Sequence, residues 1–196
     1  IVSPRNSADV LGGAHAFLKT NSSHQVMLRT TDQWVDLPEL QQNQLLNQAD
    51  IVFAGGVFGE AATSLLKQLS DQPLTAFIAV HSDRRLVERS RLLGRLLVRK
   101  EDLAGLMEDP KVGDSAALSG WVDEQLAKFP QHKAWLLSRI YWSNREEKNI
   151  DNLIRHLLSL TGEVISVSEP RLQPSLRVLI GGREQSLSTF SDAVFM

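Results

Sequence analysis

The sequence contains no cysteine, which excludes disulfides, thiolate metal sites and a cysteine nucleophile. This absence fits the cytoplasm, where we expect the protein, and equally the periplasm. No apolar run approaches the roughly 20 residues that cross a bilayer, so we expect no membrane span. The formal net charge of −2 provides no overall basic field for nucleic acid or an anionic membrane.

Common catalytic signatures are also missing from the sequence. There is no Gly-x-Ser-x-Gly elbow, no His-Glu-x-x-His pair and no P-loop lysine. The chain opens at Ile1 inside a strand-like run and closes on the apolar tail 188–196. We therefore expect a fragment of a larger protein that does not complete a chemical reaction alone, and we assign no catalytic residue.

The first part of the chain alternates between strand-like and helical patterns. Runs typical of strands lie at 1–3, 25–29, 50–54 and 74–80, and the last two are apolar apart from Asp50 and Thr75, as in strands buried on both faces. Helical patterns follow these runs, including 8–19, capped by Ser7 or Asn6, and 84–94. This alternation predicts an α/β domain over 1–115, an open parallel sheet with helices on both faces, flavodoxin- or Rossmann-like.

The second part of the chain, 116–196, is predicted to be mostly helical and to lead into an incomplete second α/β unit. Helices are expected at 103–108 and 116–129, and a longer one over 133–160 with a break near Ser143. An apolar stripe in this last helix ends at Gly162, a suitable C-terminal cap, and its members, predicted to be buried, are Ile150, Leu153, Ile154, Leu157 and Leu158. The run 163–168 is predicted to begin the next unit as a strand.

Three loops that follow predicted strands carry the candidate site. Ligands on open parallel sheets bind beyond the carboxyl ends of the strands, and small polar residues there offer free N–H groups to an anion. The candidate ligand-binding residues, predicted to surround one crevice, are Arg5, Asn6, Gly55, Gly56, Glu60, His81 and Asp83.

Each loop also has a structural interpretation. The glycines of 55–59 do not form a dinucleotide fingerprint, so tight packing between strand and helix is favoured over phosphate binding. Glu60 suits the start of a helix because the dipole favours a carboxylate there. His81 is suited either to ligand contact or, with Asp83, to a loop or capping role. No second histidine or carboxylate stands at metal spacing, so we predict no metal site.

Two further features favour structural roles. The arginines of 84–99 are interpreted as a solvated helical face, because a nucleic-acid surface would add aromatic residues and net positive charge. Trp135, Tyr141 and Trp142 are interpreted as core or inter-domain packing.

Several strings, in order, resemble the cobaltochelatase large subunit, whose family includes the magnesium chelatase large subunit. These strings are Ser-Pro-Arg-Asn-Ser-Ala-Asp at 3–9, Ala-Gly-Gly-Val-Phe-Gly-Glu at 54–60, Ala-Val-His-Ser-Asp at 79–83, Ser-Arg-Leu-Leu-Gly at 90–94, Ile-Tyr-Trp at 140–142, Ile-Asp-Asn-Leu-Ile-Arg at 150–155 and Gly-Glu-Val-Ile at 162–165. Because such proteins have on the order of a thousand residues, the resemblance implies that this chain covers an amino-terminal part.

The resemblance implies ATP-dependent insertion of cobalt or another metal, as substrate, into a tetrapyrrole of the cobyrinate or porphyrin type. ATP and Mg would act through separate ATPase subunits, and no cofactor is expected in this fragment. Its expected partners are the tetrapyrrole, the remaining domains of the large subunit and the ATPase subunits. The alternative is a non-catalytic module that docks other domains or ATPase subunits.

Overall fold

A computed structural model describes residues 1–69, 72, 74–106, 115–172, 178–180 and 183–185. Nine helices lie in this part of the chain: α1 (Ser7–Thr20), α2 (Thr31–Val35), α3 (Glu39–Asn47), α4 (Gly59–Leu69), α5 (Arg84–Val87), α6 (Leu103–Leu106), α7 (Ser115–Lys128), α8 (Lys133–Ser143) and α9 (Glu147–Leu160). The predicted break in the long helix is therefore confirmed, whereas α2 was not predicted.

The principal sheet is mixed. Strands β1 (Ile51–Gly55) and β2 (Ala76–Val80) pair in parallel, while β3 (Arg91–Leu92) and β4 (Arg95–Leu96) continue the sheet as an antiparallel hairpin. A separate antiparallel pair is formed by β5 (Val178–Ile180) and β6 (Arg183–Gln185). The α/β class is confirmed, but this sheet is not the purely parallel one that the alternation predicted.

The two amino-terminal strands that were predicted are reduced to isolated contacts. Val2 forms parallel bridges to Gly55 of β1 on one side and to Thr30 on the other. The backbone bonds agree, because the Gly55 N–H donates to the Ile1 carbonyl at 2.9 Å and the Val2 N–H to the Arg29 carbonyl at 3.0 Å. The two contacts are parallel, as predicted, but 1–3 and 25–29 do not form regular strands.

Two other predictions about local structure are wrong. The segment 84–94, predicted as helical, is helical only in α5, and the chain then turns into the β3–β4 hairpin. The run 163–168, predicted as a strand, is extended but pairs with no strand among the described residues. It is held by side chains instead, since the Ser168 N–H donates to Asn152 Oδ1 at 2.8 Å and Tyr141 donates its hydroxyl to the Ser168 carbonyl.

Helix α9 packs along α1 at very close range. An alanine Cβ placed at Gly13 would lie 2.3 Å from the Ile150 Cβ, so only glycine permits this approach. Ile150, Leu153 and Leu157 of the predicted apolar stripe are buried, while its other two members are half-buried. The stripe ends as predicted at Gly162, whose φ of 96° is the left-handed conformation that favours glycine.

Helix α8 places its aromatic side chains in the same core as β2. Trp135, Tyr141 and Trp142 are each 1–2% exposed, which confirms the packing role predicted for them. The Trp135 indole N–H donates to the carbonyl of Ala79 at 2.8 Å and so satisfies a buried strand carbonyl. The carboxyl end of α8 lies close to the carboxyl ends of β1 and β2, because Trp142 packs over Gly55 and Ser143 lies beside His81.

Candidate functional site

Three backbone segments end side by side at the carboxyl edge of the sheet. Gly55 is in register with Val80 and also bridges to Val2, so the next residues of the three segments, Ser3, Gly56 and His81, lie at one level. This is the edge at which open α/β sheets bind their ligands. We call Ser3, Asn6, Gly56, His81 and Ser143 the carboxyl-edge site.

Asn6 and Ser3 form the first wall of the carboxyl-edge site. Asn6 is 6% exposed and occupies the N-cap position of α1, but its side chain makes no capping bond. Its amide donates instead to Ser3 Oγ at 2.9 Å, and both side chains lie 3.4 Å from the place where a Cβ on Gly56 would stand. Gly56 has φ of 71°, so glycine suits both its backbone and the polar wall beside it.

His81 forms the opposite wall in a left-handed backbone conformation that is uncommon for residues other than glycine. Its φ is 47°, one of two positive values among the described non-glycine residues, and such strain persists where the surrounding structure imposes it. Its Nε2 lies 3.0 Å from Ser143 Oγ at the end of α8. That hydroxyl also lies 2.9 Å from the Arg139 carbonyl, which only accepts, so it donates there and the imidazole Nε2–H donates to Ser143.

The loops after β1 and β2 are joined to each other beneath the carboxyl-edge site. The Val57 N–H donates to Ser82 Oγ at 3.0 Å, and the Asp83 N–H donates to the Val57 carbonyl at 2.8 Å. Ser82 is 2% exposed, and its hydroxyl proton has the carbonyls of Ala54 and Val80 within reach, at 3.2 and 3.0 Å. A buried serine thus holds the two loops in one arrangement.

Asp83 has a capping role in the structure. Its carboxylate accepts the Arg85 backbone N–H at 2.9 Å and so caps α5, and it forms an ion pair with the Arg85 guanidinium. The side-chain hydrogen bond from Arg85 is the main reason why the pKa of Asp83 lies below its ordinary value. Both carboxylate oxygens of Asp83 are therefore engaged by Arg85.

Gly55 serves the packing of α8. A Cβ on Gly55 would lie 2.5–2.7 Å from three atoms of the Trp142 indole, so the ring occupies the space over this glycine. The indole also packs against Phe53 of β1, with ring centroids 5.3 Å apart, and Arg145 lies over its face at 5.4 Å. Trp142 thus covers Gly55, and Gly56 is the glycine that borders the carboxyl-edge site.

Arg5 and Glu60 lie at the rim. Arg5 is exposed in the 3-10 turn Pro4–Asn6, and it takes part in no ion pair within the described part of the chain. Glu60 is exposed in the first turn of α4, where its charge favours the helix dipole. Of the seven candidate residues, Asn6, Gly56 and His81 border the site, whereas Gly55 and Asp83 serve packing and capping.

Sequence reasoning missed two polar side chains of the site. Ser3 is separated from the candidate pair Arg5 and Asn6 by Pro4 alone, so its place at the end of the predicted strand 1–3 was a usable signal. Ser143 lies 62 residues from His81 and reaches it from α8, a juxtaposition for which the sequence carries no local signal. Among the described residues, no three histidine, aspartate or glutamate side chains stand together as a metal site would require.

Two buried histidines lie away from the site. His132 is 2% exposed, with Nδ1 2.8 Å from the Leu97 carbonyl and Nε2 2.8 Å from the Asp102 carboxylate. The bond from His132 is the main cause that lowers the pKa of Asp102. His156 packs beside the Tyr141 ring, and burial lowers its pKa.

No helix in the described part of the chain is long and apolar enough to cross a membrane.

Comparison with known proteins gives no match at the level of protein families, curated proteins or solved structures.

Proposed function

We propose that the carboxyl-edge site binds a carboxylated tetrapyrrole and that the chain is the amino-terminal part of a cobaltochelatase-like large subunit. The proposed role of this part is to hold the macrocycle, of cobyrinate or porphyrin type, while ATPase subunits and later domains drive metal insertion. The observation that carries the proposal is the meeting of Asn6, Gly56 and a strained His81 at one sheet edge. The resemblance of the surrounding strings supplies the ligand class.

The chemistry of the edge suits a ligand with carboxylates. Arg5 is exposed next to Asn6 and can pair with a carboxylate through its guanidinium. His81 presents a ring whose Nε2–H donates to the Ser143 hydroxyl oxygen, and a ligand oxygen can take the place of that acceptor. The metal to be inserted is a substrate, and we assign no ligand of it to this chain.

We further propose that the sheet is the core of a flavodoxin- or Rossmann-like arrangement. The parallel bridges of Val2 support this, because they place 1–3 beside β1 and the residues near Thr30 beyond them. The resulting order, with β2 on the other side of β1, has a strand-order reversal between 1–3 and β1. Ligands of such folds bind at that reversal, and the carboxyl-edge site lies there.

Titration of the chain with a carboxylated porphyrin, followed by its absorption spectrum, tests the proposal. The variant Arg5→Gln/His81→Asn removes both ligand-facing groups, and asparagine tolerates the left-handed backbone at 81. We expect at least about tenfold weaker binding, since hydrogen bonds to charged groups contribute about 1.5–3 kcal/mol each. The control Lys19→Gln/His15→Asn likewise replaces one cationic side chain and one histidine, at exposed positions of α1.

Equal affinity of the variant and the control, with both folded by circular dichroism, would refute the binding role. The docking module would then be the better interpretation of the same loops. In that case the main feature of this edge would be its internal contacts, the packing of Gly55 against Trp142 and the ion pair of Asp83 with Arg85.

A further inference from the structure

The β3–β4 hairpin has an unusual turn. Its two turn residues, Leu93 and Gly94, have φ of 49° and 77°, the conformation of a two-residue turn that favours asparagine and glycine. Leucine at the first of these positions is strained, and its side chain is nevertheless 66% exposed. Neither local conformation nor core packing accounts for a leucine there, and strain of this kind points to a function.

The same hairpin gathers positive charge in an acidic chain. Residues 89–100 contain five basic side chains and no acidic one, whereas the whole chain has a net charge of −2. Four of these are exposed, namely Arg89, Arg95, Arg99 and Lys100. Within the described residues, no ion pair engages Arg89 or Arg95. A second exposed leucine, Leu96 at 66%, lies directly after Arg95.

The hairpin is braced on both sides of its turn, and the Leu93 N–H of the turn itself donates to the Thr75 carbonyl at 2.8 Å. Arg91 donates to the carbonyls of Leu69 and Gln72 at 3.3 and 3.1 Å, and Val98 is 2% exposed. The Leu97 N–H donates to the Ser90 carbonyl at 2.8 Å. Leu93, Leu96 and the exposed basic side chains are thus presented by a braced element of the sheet.

We infer that this hairpin is a contact site for a membrane surface that carries anionic lipid headgroups. The arginines complement the headgroup charge, and two exposed leucines, Leu93 in the turn and Leu96 in β4, enter the boundary between headgroups and acyl chains. An anionic membrane can bind the exposed basic side chains and the two exposed leucines of the hairpin at the same time.

Other occupants fit the hairpin less well. Nucleic acid would accept the arginines but leave the leucines without benefit, and 89–100 contains no aromatic residue on which bases stack. Addition of a partner strand needs backbone groups, and β4 is only two residues long. Because the Leu97 N–H faces β3, the alternation of an antiparallel pair leaves Leu96 as the one residue of β4 whose N–H and C=O face outward.

Co-sedimentation of the 196-residue chain with vesicles tests this inference. One set of vesicles contains phosphatidylcholine and phosphatidylglycerol in equal parts, and the other contains phosphatidylcholine alone. We expect binding to the first set at low salt and little to the second. The variant Leu93→Asn/Leu96→Ser should bind at least about tenfold more weakly, because about 1.4 kcal/mol of lost apolar transfer is a factor of ten.

The matched control is Leu11→Ser/Leu40→Ser, which changes two leucines that are 62% and 69% exposed on α1 and α3. It should bind as the unchanged chain does. Asparagine at 93 suits the turn, so the test variant should fold, and urea unfolding checks this. Absence of binding to anionic vesicles, or equal binding by both leucine variants, would overturn the inference. So would a concentration-dependent dimer that only the hairpin variant loses, because a second copy would then cover the tip.

Discussion

Replacement of Gly55 by alanine tests whether this glycine serves packing rather than a ligand. The new Cβ would lie 2.5 Å from the nearest Trp142 atom, almost 1 Å inside ordinary van der Waals contact. The indole cannot withdraw easily, because it is 1% exposed and lies between Phe53 and Arg145. Overpacking of a rigid core costs about 1–3 kcal/mol, so we expect the free energy of unfolding to fall by about 2 kcal/mol.

Urea unfolding followed by tryptophan fluorescence measures this change, and a double-mutant cycle identifies its cause. Trp142→Phe alone should destabilise by about 2 kcal/mol as a large-to-small core substitution. Gly55→Ala should add little in that background, because the smaller ring leaves room for the methyl group. A loss below about 0.5 kcal/mol for Gly55→Ala alone, or full additivity with Trp142→Phe, would refute the packing argument.

Three further predictions concern the helices, each measured by urea unfolding. Gly13→Ala should lower the free energy of unfolding by about 2 kcal/mol, because its Cβ would overlap Ile150. Gly12→Ala should raise it by up to about 1 kcal/mol, because the nearest atom to its Cβ, Glu147 Oε2, is 3.9 Å away. Equal effects of the two variants would contradict the close packing of α1 on α9. Leu153→Ala should cost about 2–5 kcal/mol as a core truncation, and a value well below 1 kcal/mol would mean that it is not in the core. Burial lowers the pKa of His156, so its neutral form contributes stability that is complete above about pH 6.5 and is lost as pH falls toward the folded-state pKa. His156→Gln should flatten the decline in stability between about pH 7 and 5, and an unchanged slope would contradict this assignment.

The buried strands were predictable because their environment leaves a clear pattern. A strand covered on both faces is apolar throughout, and 51–54 and 76–80 have this composition. The hairpin was not predictable in the same way. Arg91, Arg95 and Arg99 recur every four residues, the spacing of a helical face, and Leu93 stands at a turn position that favours asparagine or glycine.

The site was predictable only as far as strand ends locate it. The sequence places Asn6, Gly56 and His81 after three predicted strands, and parallel strands bring such residues to one edge. It does not reveal that Trp142 occupies the space over Gly55, since that contact joins residues 87 positions apart through packing of α8. The partner of Asp83, by contrast, is only two residues away, and capping by an aspartate before a helix is a local signal.

The hydrogen bonds around Ser82 determine how much conformational freedom the loops at the carboxyl edge would lose if the proposed ligand bound there. Val57 both donates to the loop after β2, at Ser82 Oγ, and accepts from it, at the Asp83 N–H. The two loops are therefore already fixed relative to each other before anything binds, and little conformational entropy remains to be lost there. The Val57 amide reports this directly, because its hydrogen exchanges with solvent only when the two loops separate. Slow exchange at Val57 in the free protein, unchanged by ligand, would identify an edge that is organised in advance.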